Sequence, residues 1–277
     1  MKKRPTIAIC YDFDGTLSPK SMQEYGYIQE LKITPKNFWA EAKKLAKEQK
    51  ADEILTYMHL MLEKATRQNG VQVTSKAFKN FGKNLKLFKG VKSWFKRINQ
   101  YARTHGIKCE HYIISSGIKE MILGSEISKE FKYIYASSFI YDQYGRAIWP
   151  AHALNYTTKT QCLFRINKGL LDPSDNTKIN SYLPEAERPI PFSRMVYIGD
   201  GDTDIPCMKL VKEQGGYSIA VYKPGSQKKK PQARGLLKVH RVNFVTPADY
   251  RNGSPLDKQI KLVLKKMLAT YNLAVSK

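Results

Sequence analysis

Two short apolar segments of this sequence run directly into acidic residues. The segments are residues 6–13 and 195–199, and the acids at or just after their ends are Asp12, Asp14, Asp200, Asp202 and Asp204. A short, nearly continuous apolar run is typical of a strand that is buried on both faces of a parallel sheet. We therefore predict that the two acidic clusters follow two buried strands and lie at the same edge of one sheet.

Strand-like and helical patterns alternate over most of the remaining chain. We predict further strands at 110–115 and 218–222, a hairpin at 133–149 that turns at 142–145, and helices that begin near residues 91, 159, 203 and 256. Such alternation is typical of a mainly parallel sheet with helices on both faces, and ligands of these sheets bind beyond the carboxyl ends of the strands. The predicted fold is therefore α/β, with a doubly wound, mainly parallel, Rossmann-like sheet.

The segment between residues 19 and 88 has a purely helical pattern. Its apolar residues recur at helical spacing in three stripes, namely Phe38, Trp39, Ala42, Leu45 and Ala46; then Ile54, Leu55, Met58, Met61, Leu62 and Ala65; then Phe78, Phe81, Leu85 and Phe88. We predict an all-helical cap that is inserted after the first strand. In this division residues 1–18 begin the core, residues 19–88 form the cap, and residues 89–277 complete the core.

Each acidic cluster by itself has a simpler interpretation, which is a strand followed by a polar turn. A calcium loop fits neither cluster, because Leu17 and Ile205 stand where its glycine belongs and Val211 stands where the second loop needs Glu. Two carboxylates spaced two residues apart and followed by glycine could hold a hard cation on oxygen ligands. Three acids in five residues repel one another unless they are solvated or share a metal.

Taken together, the motifs resemble those of the haloacid dehalogenase superfamily of phosphohydrolases. The four ordered motifs of that superfamily can be placed on Asp12-x-Asp14-Gly15-Thr16, on Ser115 at a strand end, on Lys159 at a helix start, and on Gly199-Asp200-Gly201-Asp202-Thr203-Asp204. The first and last motifs are specific, and the resemblance extends over nearly the whole chain. The helical insertion after the first motif is similar to the cap of phosphoserine-phosphatase-like members.

The resemblance implies a phosphatase that works through an aspartyl phosphate. Carried over to this sequence, Asp12 is the nucleophile that attacks phosphorus, and Asp14 protonates the leaving alcohol and then activates water. The implied cofactor is Mg²⁺, held by Asp12, the main-chain carbonyl of Asp14 and Asp200, with Asp204 assisting. Asp202 stands where relatives often carry a small or amide residue, and its role stays open.

Two further residues complete the implied catalytic set. Ser115 is expected to donate hydrogen bonds to phosphoryl oxygens, with Ser116 as the alternative if the strand ends one residue later. Lys159 is expected to contact the phosphoryl group or Asp12, because a cation near a helix start needs an anionic partner. Lys168 is the nearest competitor for that role. A plain strand-to-helix turn and a surface lysine are the alternatives without a catalytic role.

The second acid of the first motif narrows the implied reaction. Dehalogenases and phosphonate-cleaving members of the superfamily lack this acid, whereas Asp14 is present here. We therefore predict an oxygen-linked substrate, a small-molecule phosphate monoester. Phosphoserine is not predicted, because its recognition in relatives uses an acid and an arginine of the cap, and residues 19–88 contain a single arginine, Arg67, and no acid that aligns clearly.

The net charge of +23 admits a second class of function. Residues 70–108 and 214–248 are rich in lysine and arginine and contain no acid, and such surfaces attract phosphate esters, nucleic acids and anionic membranes. The alternative function is nucleic-acid binding, or removal of a terminal phosphate from nucleic acid, with Trp94, Phe95 or Tyr101 stacking on bases. It is not favoured, because Trp94 and Phe95 fall on the buried face of a predicted helix. An ordinary solvated surface explains the lysines most simply.

The most locally biased segment is the lysine-rich stretch at residues 227–234, which we expect to be a loop or a surface helix. Lys228, Lys229 and Lys230 are far in sequence from the cap and from the acidic motifs. We therefore expect that replacing these three lysines changes the hydrolysis of a small ester only modestly.

The cysteines and the hydropathy of the chain suggest where it works. Cys10, Cys109, Cys162 and Cys207 are far apart and form no C-x-x-C pair, so neither a disulfide framework nor a thiolate zinc site is expected. No apolar run approaches the ~20 residues that span a bilayer, so we expect no membrane partner. The cytoplasm is the predicted location, and the sequence leaves the physiological substrate and the oligomeric state open.

Overall fold

The computed structural model describes residues 4–68 and 70–276, which form one seven-stranded sheet with flanking helices. Its strands are β1 (Thr6–Tyr11), β2 (Lys108–Ile118), β3 (Tyr133–Tyr141), β4 (Ala147–His152), β5 (Met195–Gly199), β6 (Tyr217–Tyr222) and β7 (Phe244–Pro247). Their order across the sheet is β4-β3-β2-β1-β5-β6-β7, and the neighbours are parallel except for β3 and β4. The predicted doubly wound, mainly parallel, Rossmann-like sheet is confirmed.

The helices alternate with the strands, apart from the group that follows β1. They are α1 (Tyr27–Glu30), α2 (Pro35–Gln49), α3 (Glu53–Arg67), α4 (Ser75–Gly82), α5 (Val91–Thr104), α6 (Lys119–Gly124), α7 (Tyr156–Lys168), α8 (Ile205–Glu213), α9 (Lys229–Lys238) and α10 (Pro255–Val275). Short 3₁₀ helices occupy Met22–Glu24, Ser128–Glu130, Glu185–Glu187, Phe192–Arg194 and Asp202–Asp204. The chain therefore has the alternating order that the sequence patterns predict.

The central strand β1 shows why its sequence is apolar throughout. Ile7, Ile9 and Tyr11 point into a cluster that includes residues of α5 and α10, whereas Ala8 and Cys10 point into a second cluster with residues of α7 and α8. All five side chains are fully buried. Because helices cover both faces of the sheet, neither face of β1 can carry a polar side chain before the strand ends.

The chain reverses its direction of growth across the sheet at β1. It proceeds from β1 to β2 and β3 on one side, and then crosses to β5, β6 and β7 on the other side. A crevice opens at such a switch point, between loops that leave neighbouring strands in opposite directions. The residues that follow β1 and β5 therefore border this crevice.

The four helices α1 to α4 lie between β1 and α5, as the helical pattern of residues 19–88 predicts. Helix α2 is capped by Thr34, whose hydroxyl accepts from the N–H of Asn37, and α3 is capped by Asp52, whose carboxylate accepts from two backbone N–H groups. Their apolar faces join the same buried cluster as one face of the sheet. That residues 19–88 act as one separate cap, which moves as a unit, stays a prediction.

Helix α4 is shorter than its pattern predicts. The helical spacing of Phe78, Phe81, Leu85 and Phe88 is misleading, because α4 ends at Gly82 and the last two residues lie in the following loop. Gly82 packs directly against α6: a Cβ on Gly82 would overlap the carbonyl of Met121, and a Cβ on Gly124 would overlap the backbone of Lys79. The close approach of the two backbones fixes where α4 ends.

Other boundaries also differ from the prediction. Strand β1 ends at Tyr11 rather than at residue 13, and β2 is longer than residues 110–115. β7, with four residues, has no counterpart in the predicted strands, whereas the lysine-rich segment leads into the surface helix α9, in agreement with the expectation of a loop or surface helix. The hairpin of β3 and β4 is confirmed, with its turn closed by the Asp142 side chain. None of the helices that the structure describes is long and apolar enough to cross a membrane.

Candidate active site

The two acidic motifs meet at the ends of neighbouring strands. Tyr11 pairs with Ile198 at the last position of the β1–β5 ladder, and the N–H of Asp12 donates to the carbonyl of Ile198 over 3.0 Å. Asp12 therefore directly follows β1, beside the point where β5 leads into Asp200. The predicted position of both motifs at one edge of the sheet is confirmed.

Three carboxylates form a compact cluster at this edge. One oxygen from each of Asp12, Asp200 and Asp204 lies within 4.8 Å of the other two. Asp204 is held in place, because its carboxylate accepts from the hydroxyl of Tyr197 over 2.8 Å and from the N–H of Gly201 over 3.2 Å. The side chain of Asp202 is exposed at the surface, on the 3₁₀ helix that carries Asp204.

Gly15 lets the loop after β1 approach the second motif. Its φ angle is +77°, in the left-handed region that favours glycine, and a Cβ at this position would overlap the carboxylate of Asp200. A side chain on residue 15 would thus meet both backbone strain and a direct clash. The glycine of the first motif is explained by this close approach.

Three carboxyl groups at this edge, those of Asp12, Asp14 and Asp200, have raised pKa values. Burial, opposed by Lys159 and reinforced by Asp204, raises the pKa of Asp12 to about 7. Burial, opposed by Lys229, raises the pKa of Asp200 to about 6. The pKa of Asp14 is raised well above its usual range, first by burial and then by the charge of Asp12. Burial is therefore the main cause of these raised pKa values, and the neighbouring carboxylates add to it.

Lys159 supplies a buried positive charge beside two of these carboxylates. Its Nζ lies 3.1 Å from Oδ1 of Asp12, 2.7 Å from Oδ1 of Asp204 and 3.2 Å from Oγ1 of Thr203, and the side chain is fully buried. Burial alone would lower the pKa of Lys159, but the two carboxylates raise it above its ordinary value. The predicted contact with Asp12 is present.

The competitor Lys168 lies elsewhere. Helix α7 begins at Tyr156, so Lys159 is in its first turn rather than at its first residue, and Lys168 is its last residue. The ammonium of Lys168 donates to the carbonyls of Ile179 and Ser181 in the loop that follows the helix. The structure therefore places one of the two lysines, Lys159, among the acids.

The donor set fits a hard divalent cation. Mg²⁺ prefers carboxylate and carbonyl oxygens, and Asp12, Asp200 and Asp204 offer three carboxylates within reach of one another. Oδ1 of Asp14 is buried without a hydrogen-bond partner, and the ammonium of Lys229 lies 3.1 Å from Oδ2 of Asp200. An unpartnered carboxylate oxygen and a lysine drawn to the cluster both indicate a site that attracts positive charge.

Ser115 and Ser116 lie within β2 and not at its predicted end, because the strand continues past a register shift to Ile118. Both serines border a cavity beside the acidic cluster. The hydroxyl oxygen of Ser115 accepts from the N–H of Gly117 over 3.1 Å, so its own proton is left to donate. The hydroxyl of Ser116 is buried and has no partner. The two candidates for phosphoryl binding are thus adjacent. They differ in hydrogen bonding, because the hydroxyl of Ser115 has a backbone partner and that of Ser116 has none.

A cavity of about 210 Å³ lies between the acidic cluster and the helices that follow β1. Asp12, Asp14, Ser115, Ser116 and Asp200 line it on the side of the sheet. On the other side it is lined by residues that the sequence did not single out for the site, including Gln23, Trp39, Lys43, Glu53 and Tyr57. The insertion therefore supplies part of the wall of the site.

Two hydrogen bonds join the insertion to the rest of the chain beside the cavity. The hydroxyl of Tyr57 on α3 donates to the carbonyl of Ser116 over 2.7 Å. The amide nitrogen of Asn155, just before α7, donates over 3.1 Å to the same Asp52 carboxylate that caps α3. Helix α3 is thus tied to β2 and to the start of the helix that carries Lys159.

The contact between Lys229 and Asp200 corrects one expectation from the sequence. Lys228 to Lys230 are remote from the acids in sequence, but α9 begins beside the loop after β5 and brings Lys229 to the cluster. Substitution of all three lysines would therefore change the acidic site as well as the basic surface. No pattern in the sequence distinguishes Lys229 from the other lysines, and its contact with Asp200 is visible only in the structure.

Comparison with known proteins identifies similar sequences. A family model described as haloacid dehalogenase-like hydrolase matches residues 9–209. The chain is also 28% identical, over 279 residues, to an uncharacterized protein of Borreliella burgdorferi. That alignment covers 90% of this chain and 93% of the relative.

Solved structures show the same architecture. A phosphoserine phosphatase, described as a phospho-aspartyl intermediate analogue, matches with a TM-score of 0.54 and 16% identity over 94% of this chain and 100% of that one. A phosphoserine phosphohydrolase-like protein from Francisella tularensis matches with a TM-score of 0.52 and 20% identity over 87% and 94% of the two chains. At these identities the likeness establishes a common fold.

Proposed function

This chain belongs to the haloacid dehalogenase-like hydrolase family, and on that premise we propose that it is a Mg²⁺-dependent phosphatase acting on small phosphate monoesters. The observation that carries the proposal is the fully buried ammonium of Lys159 between Asp12 and Asp204, beside the raised-pKa carboxyl of Asp14. Phosphoryl transfer needs a nucleophile, a proton donor and concentrated positive charge. Asp12 and Asp14 line one cavity, and the positive charge of Lys159 lies directly behind Asp12.

In the first step we assign Asp12 as the nucleophile. Its carboxylate oxygen bonds to phosphorus while the bond from phosphorus to the leaving oxygen breaks, and Asp14 gives its proton to that oxygen. Burial raises the pKa of Asp14, which favours the protonated form that this transfer needs. The hydroxyl of Ser115 donates to the phosphoryl oxygens, and Lys159, whose ammonium donates to Asp12, Asp204 and Thr203, orients the nucleophile and offsets negative charge. The leaving group departs as a neutral alcohol.

The second step returns the site to its starting state. Asp14, now ionised, takes a proton from water while the water oxygen bonds to phosphorus. The bond between phosphorus and the Asp12 oxygen then breaks, which releases inorganic phosphate and restores both carboxyl groups. Asp14 thus serves as acid and then as base. This dual role needs a carboxyl oxygen that is free of other hydrogen bonds, and Oδ1 of Asp14, a residue that lines the cavity, has no partner.

We assign Asp12, Asp200, Asp204 and the main-chain carbonyl of Asp14 to the Mg²⁺ site. Bound there, the cation would neutralise charge that develops on the phosphoryl oxygens. The protein contributes the positions of these oxygens, which the strand ends, Gly15 and Tyr197 fix. Residues 19–88 would act as a cap that excludes water from the cavity during reaction.

The proposed location is the cytoplasm. All four cysteines are free, and Cys10, Cys162 and Cys207 are buried. Burial raises the pKa of the Cys10 thiol, so that it stays protonated and unreactive. A reducing compartment suits buried free thiols.

The Asp12→Asn variant tests the nucleophile. We expect hydrolysis of a panel of phosphate monoesters with Mg²⁺ to fall by at least ~10³-fold, because an amide cannot form the aspartyl phosphate. Unchanged circular dichroism would establish that the fold survives, and Asp202→Asn is the matched control at an exposed acid of the second motif. A folded Asp12→Asn protein that hydrolyses esters at the wild-type rate would refute the assignment.

The Asp200→Ala variant tests the metal site. We expect its half-saturating Mg²⁺ concentration to rise by at least ~10-fold, because a neutral side chain cannot replace an anionic oxygen ligand. High Mg²⁺ should restore part of the activity if the rest of the site keeps its geometry. Isothermal titration of the metal provides a readout that does not depend on turnover, and wild-type affinity would exclude Asp200 as a ligand.

A further inference from the structure

The wall of the cavity that faces the acidic cluster carries three neutral polar groups. They are the carboxamide of Gln23, the phenol of Tyr57 and the hydroxyl of Ser116, and all three residues border the cavity. Gln23 is 1% exposed and Tyr57 is 4% exposed. These groups are therefore buried deep in the site rather than at its entrance.

The position of Gln23 is set by the anchoring of its neighbour Met22 and by a side-chain hydrogen bond to Tyr57. Gln23 lies on the 3₁₀ helix Met22–Glu24, and the sulfur of Met22 accepts from the N–H of Ile118 over 3.1 Å. Gly117 leaves room for the Met22 side chain, since a Cβ there would overlap it. The contact between Met22 and Ile118 holds Gln23 near the end of β2, and Gln23 lines the same cavity as Ser116 and Asp14. A rigid carboxamide can discriminate between ligands more sharply than a mobile one.

Two of the polar atoms in this wall have no partner in the protein. Oε1 of Gln23 and Oγ of Ser116 are both buried without a hydrogen bond. Native proteins pair nearly all such buried groups, because leaving one unpaired costs free energy. Since both atoms border the cavity, hydrogen-bonding groups of a bound substrate are the natural partners.

The charged residues of the insertion stand apart from this wall. Lys43 and Glu53 also border the cavity, but both side chains are exposed to solvent. The deep wall offers neither a cation for a carboxylate nor, apart from the catalytic acids, an anion for an ammonium. A charged substituent placed against Gln23 would lose its hydration without gaining an opposite charge. A neutral hydroxyl loses far less and can both donate and accept.

We infer that Gln23 and Ser116 recognise the leaving group, and that the substrates are phosphate monoesters of small, uncharged polyhydroxy alcohols. This inference rests on the proposed phosphatase function and specifies its substrate class. The size of the cavity supports it, because about 210 Å³ is below the ~300–1,000 Å³ of pockets that enclose drug-sized ligands. A leaving group with a three- or four-carbon skeleton matches that scale.

The test compares esters that share a skeleton. Glycerol 1-phosphate and propyl phosphate differ in two hydroxyl groups, and O-phosphoserine carries an ammonium and a carboxylate on a similar skeleton. We expect kcat/KM for glycerol 1-phosphate to exceed that for each of the others by at least ~10-fold, because buried polar groups reject an analogue that leaves them unpaired. Equal values for glycerol 1-phosphate and propyl phosphate, or a preference for O-phosphoserine, would overturn the inference.

The Gln23→Met variant assigns the preference to this residue. We expect the ratio of kcat/KM for glycerol 1-phosphate to that for propyl phosphate to fall at least ~5-fold, with propyl phosphate itself little changed. The thermal midpoint should change little, because the variant removes a buried oxygen without a partner but also loses the side-chain hydrogen bond between Gln23 and Tyr57. Gln100→Met makes the same change at an exposed position of α5 and should leave the ratio unaltered.

Further measurements keep the outcomes distinct. If Gln23→Met does not fold, Ser116→Ala removes the second unpartnered atom and should lower the same ratio. An unchanged ratio in folded Gln23→Met protein would overturn the inference while leaving the phosphatase function intact. If the wild-type protein forms no acid-stable phosphoenzyme and hydrolyses none of these esters or p-nitrophenyl phosphate with Mg²⁺, the proposed function itself fails.

Discussion

The ammonium of Lys229 lies 3.1 Å from the carboxylate oxygen Oδ2 of Asp200, which links the basic helix α9 to the acidic cluster. Asp200 is mostly buried, whereas about half of the Lys229 side chain is exposed. The lysine can therefore leave the cluster at little cost when another cation takes its place. In the metal-free protein it balances part of the negative charge.

Removing Lys229 should make the protein bind Mg²⁺ more tightly. In Lys229→Met no ammonium competes for Asp200, and we expect the Mg²⁺ dissociation constant to fall about two- to fivefold, the range of a partly exposed ion pair. Titration calorimetry measures the effect, and Lys230→Met is the control, with the same loss of charge one residue away. Equal affinities in the wild type and Lys229→Met would show that the contact does not compete with the metal.

Gly15 and Gly145 form a matched pair for testing the first motif. Their φ angles are +77° and +73°, but a Cβ on Gly15 would overlap Asp200, whereas a Cβ on Gly145 would meet open space. Both Gly→Ala variants should lose about 1–2 kcal/mol through backbone strain. Only Gly15→Ala should also lose Mg²⁺ affinity and activity. Chemical denaturation and metal titration separate the two effects, and a Gly15→Ala protein with normal metal binding would contradict the model of the site.

The acidic cluster should make the metal-free protein less stable as the pH rises. The pKa of Asp12 is raised to about 7 and that of Asp200 to about 6, against ~3.9 in an unfolded chain. Between pH 4 and 7 the folded protein keeps protons that the unfolded chain has released, so the free energy of unfolding from these groups falls as the pH increases.

Thermal unfolding in EDTA from pH 5 to pH 8 checks this expectation. Asp12→Asn should weaken the decline, because the amide does not titrate. Saturating Mg²⁺ should reverse it, since the cation binds the ionised carboxylates and so stabilises the protein most where they are ionised. Parallel curves for the wild type and Asp12→Asn would mean that Asp12 does not titrate as described.

The basic surface should bind oligonucleotides weakly at physiological salt. Trp94 and Phe95 are fully buried, and the indole N–H of Trp94 donates to the hydroxyl of Tyr11, so neither ring can stack on a base. At ~0.15 M salt the screening length is ~8 Å, and isolated lysines contribute little. Fluorescence anisotropy with Lys228, Lys230 and Lys238 changed to Gln, but Lys229 kept, measures the effect. If the wild type binds oligonucleotides tightly and this variant does not, nucleic-acid binding becomes the favoured function.

The acidic residues of the site could be located from the sequence because their signal is local. A buried strand that ends in an acid has a recognisable pattern, and parallel strands bring their carboxyl ends to one edge. Asp12 and Asp200 therefore follow from two separate stretches of sequence. Lys159 required a longer argument, namely its place in a known order of motifs, and the structure brings it to both Asp12 and Asp204.

The wall of the cavity could not be predicted, because its residues have no local signal. In the sequence, Gln23 is one polar residue without a distinguishing pattern. The burial of its carboxamide is visible only in the structure, where the neighbouring Met22 packs against Gly117. Tyr57 is not part of the apolar stripe predicted for α3, and its hydrogen bond to Ser116 depends on how that helix packs against the core. The predicted length of α4 was wrong for a similar reason, because the packing of Gly82 against α6 at the end of α4 is not visible in the sequence.

The close packing of Gly82 and Gly124 restricts how the site can open. With the backbones of α4 and α6 in direct contact, α4 cannot slide or tilt without breaking the packing of both helices. Helices α2 and α3 contain no glycine that would allow such a contact. The hydrogen bond that Tyr57 donates, the one that Asp52 accepts, and apolar packing hold α3 to the core. Admission of substrate should therefore be a hinged movement of α2 and α3 about a stationary α4. In amide hydrogen exchange, the two moving helices would open more often than the helix that anchors them.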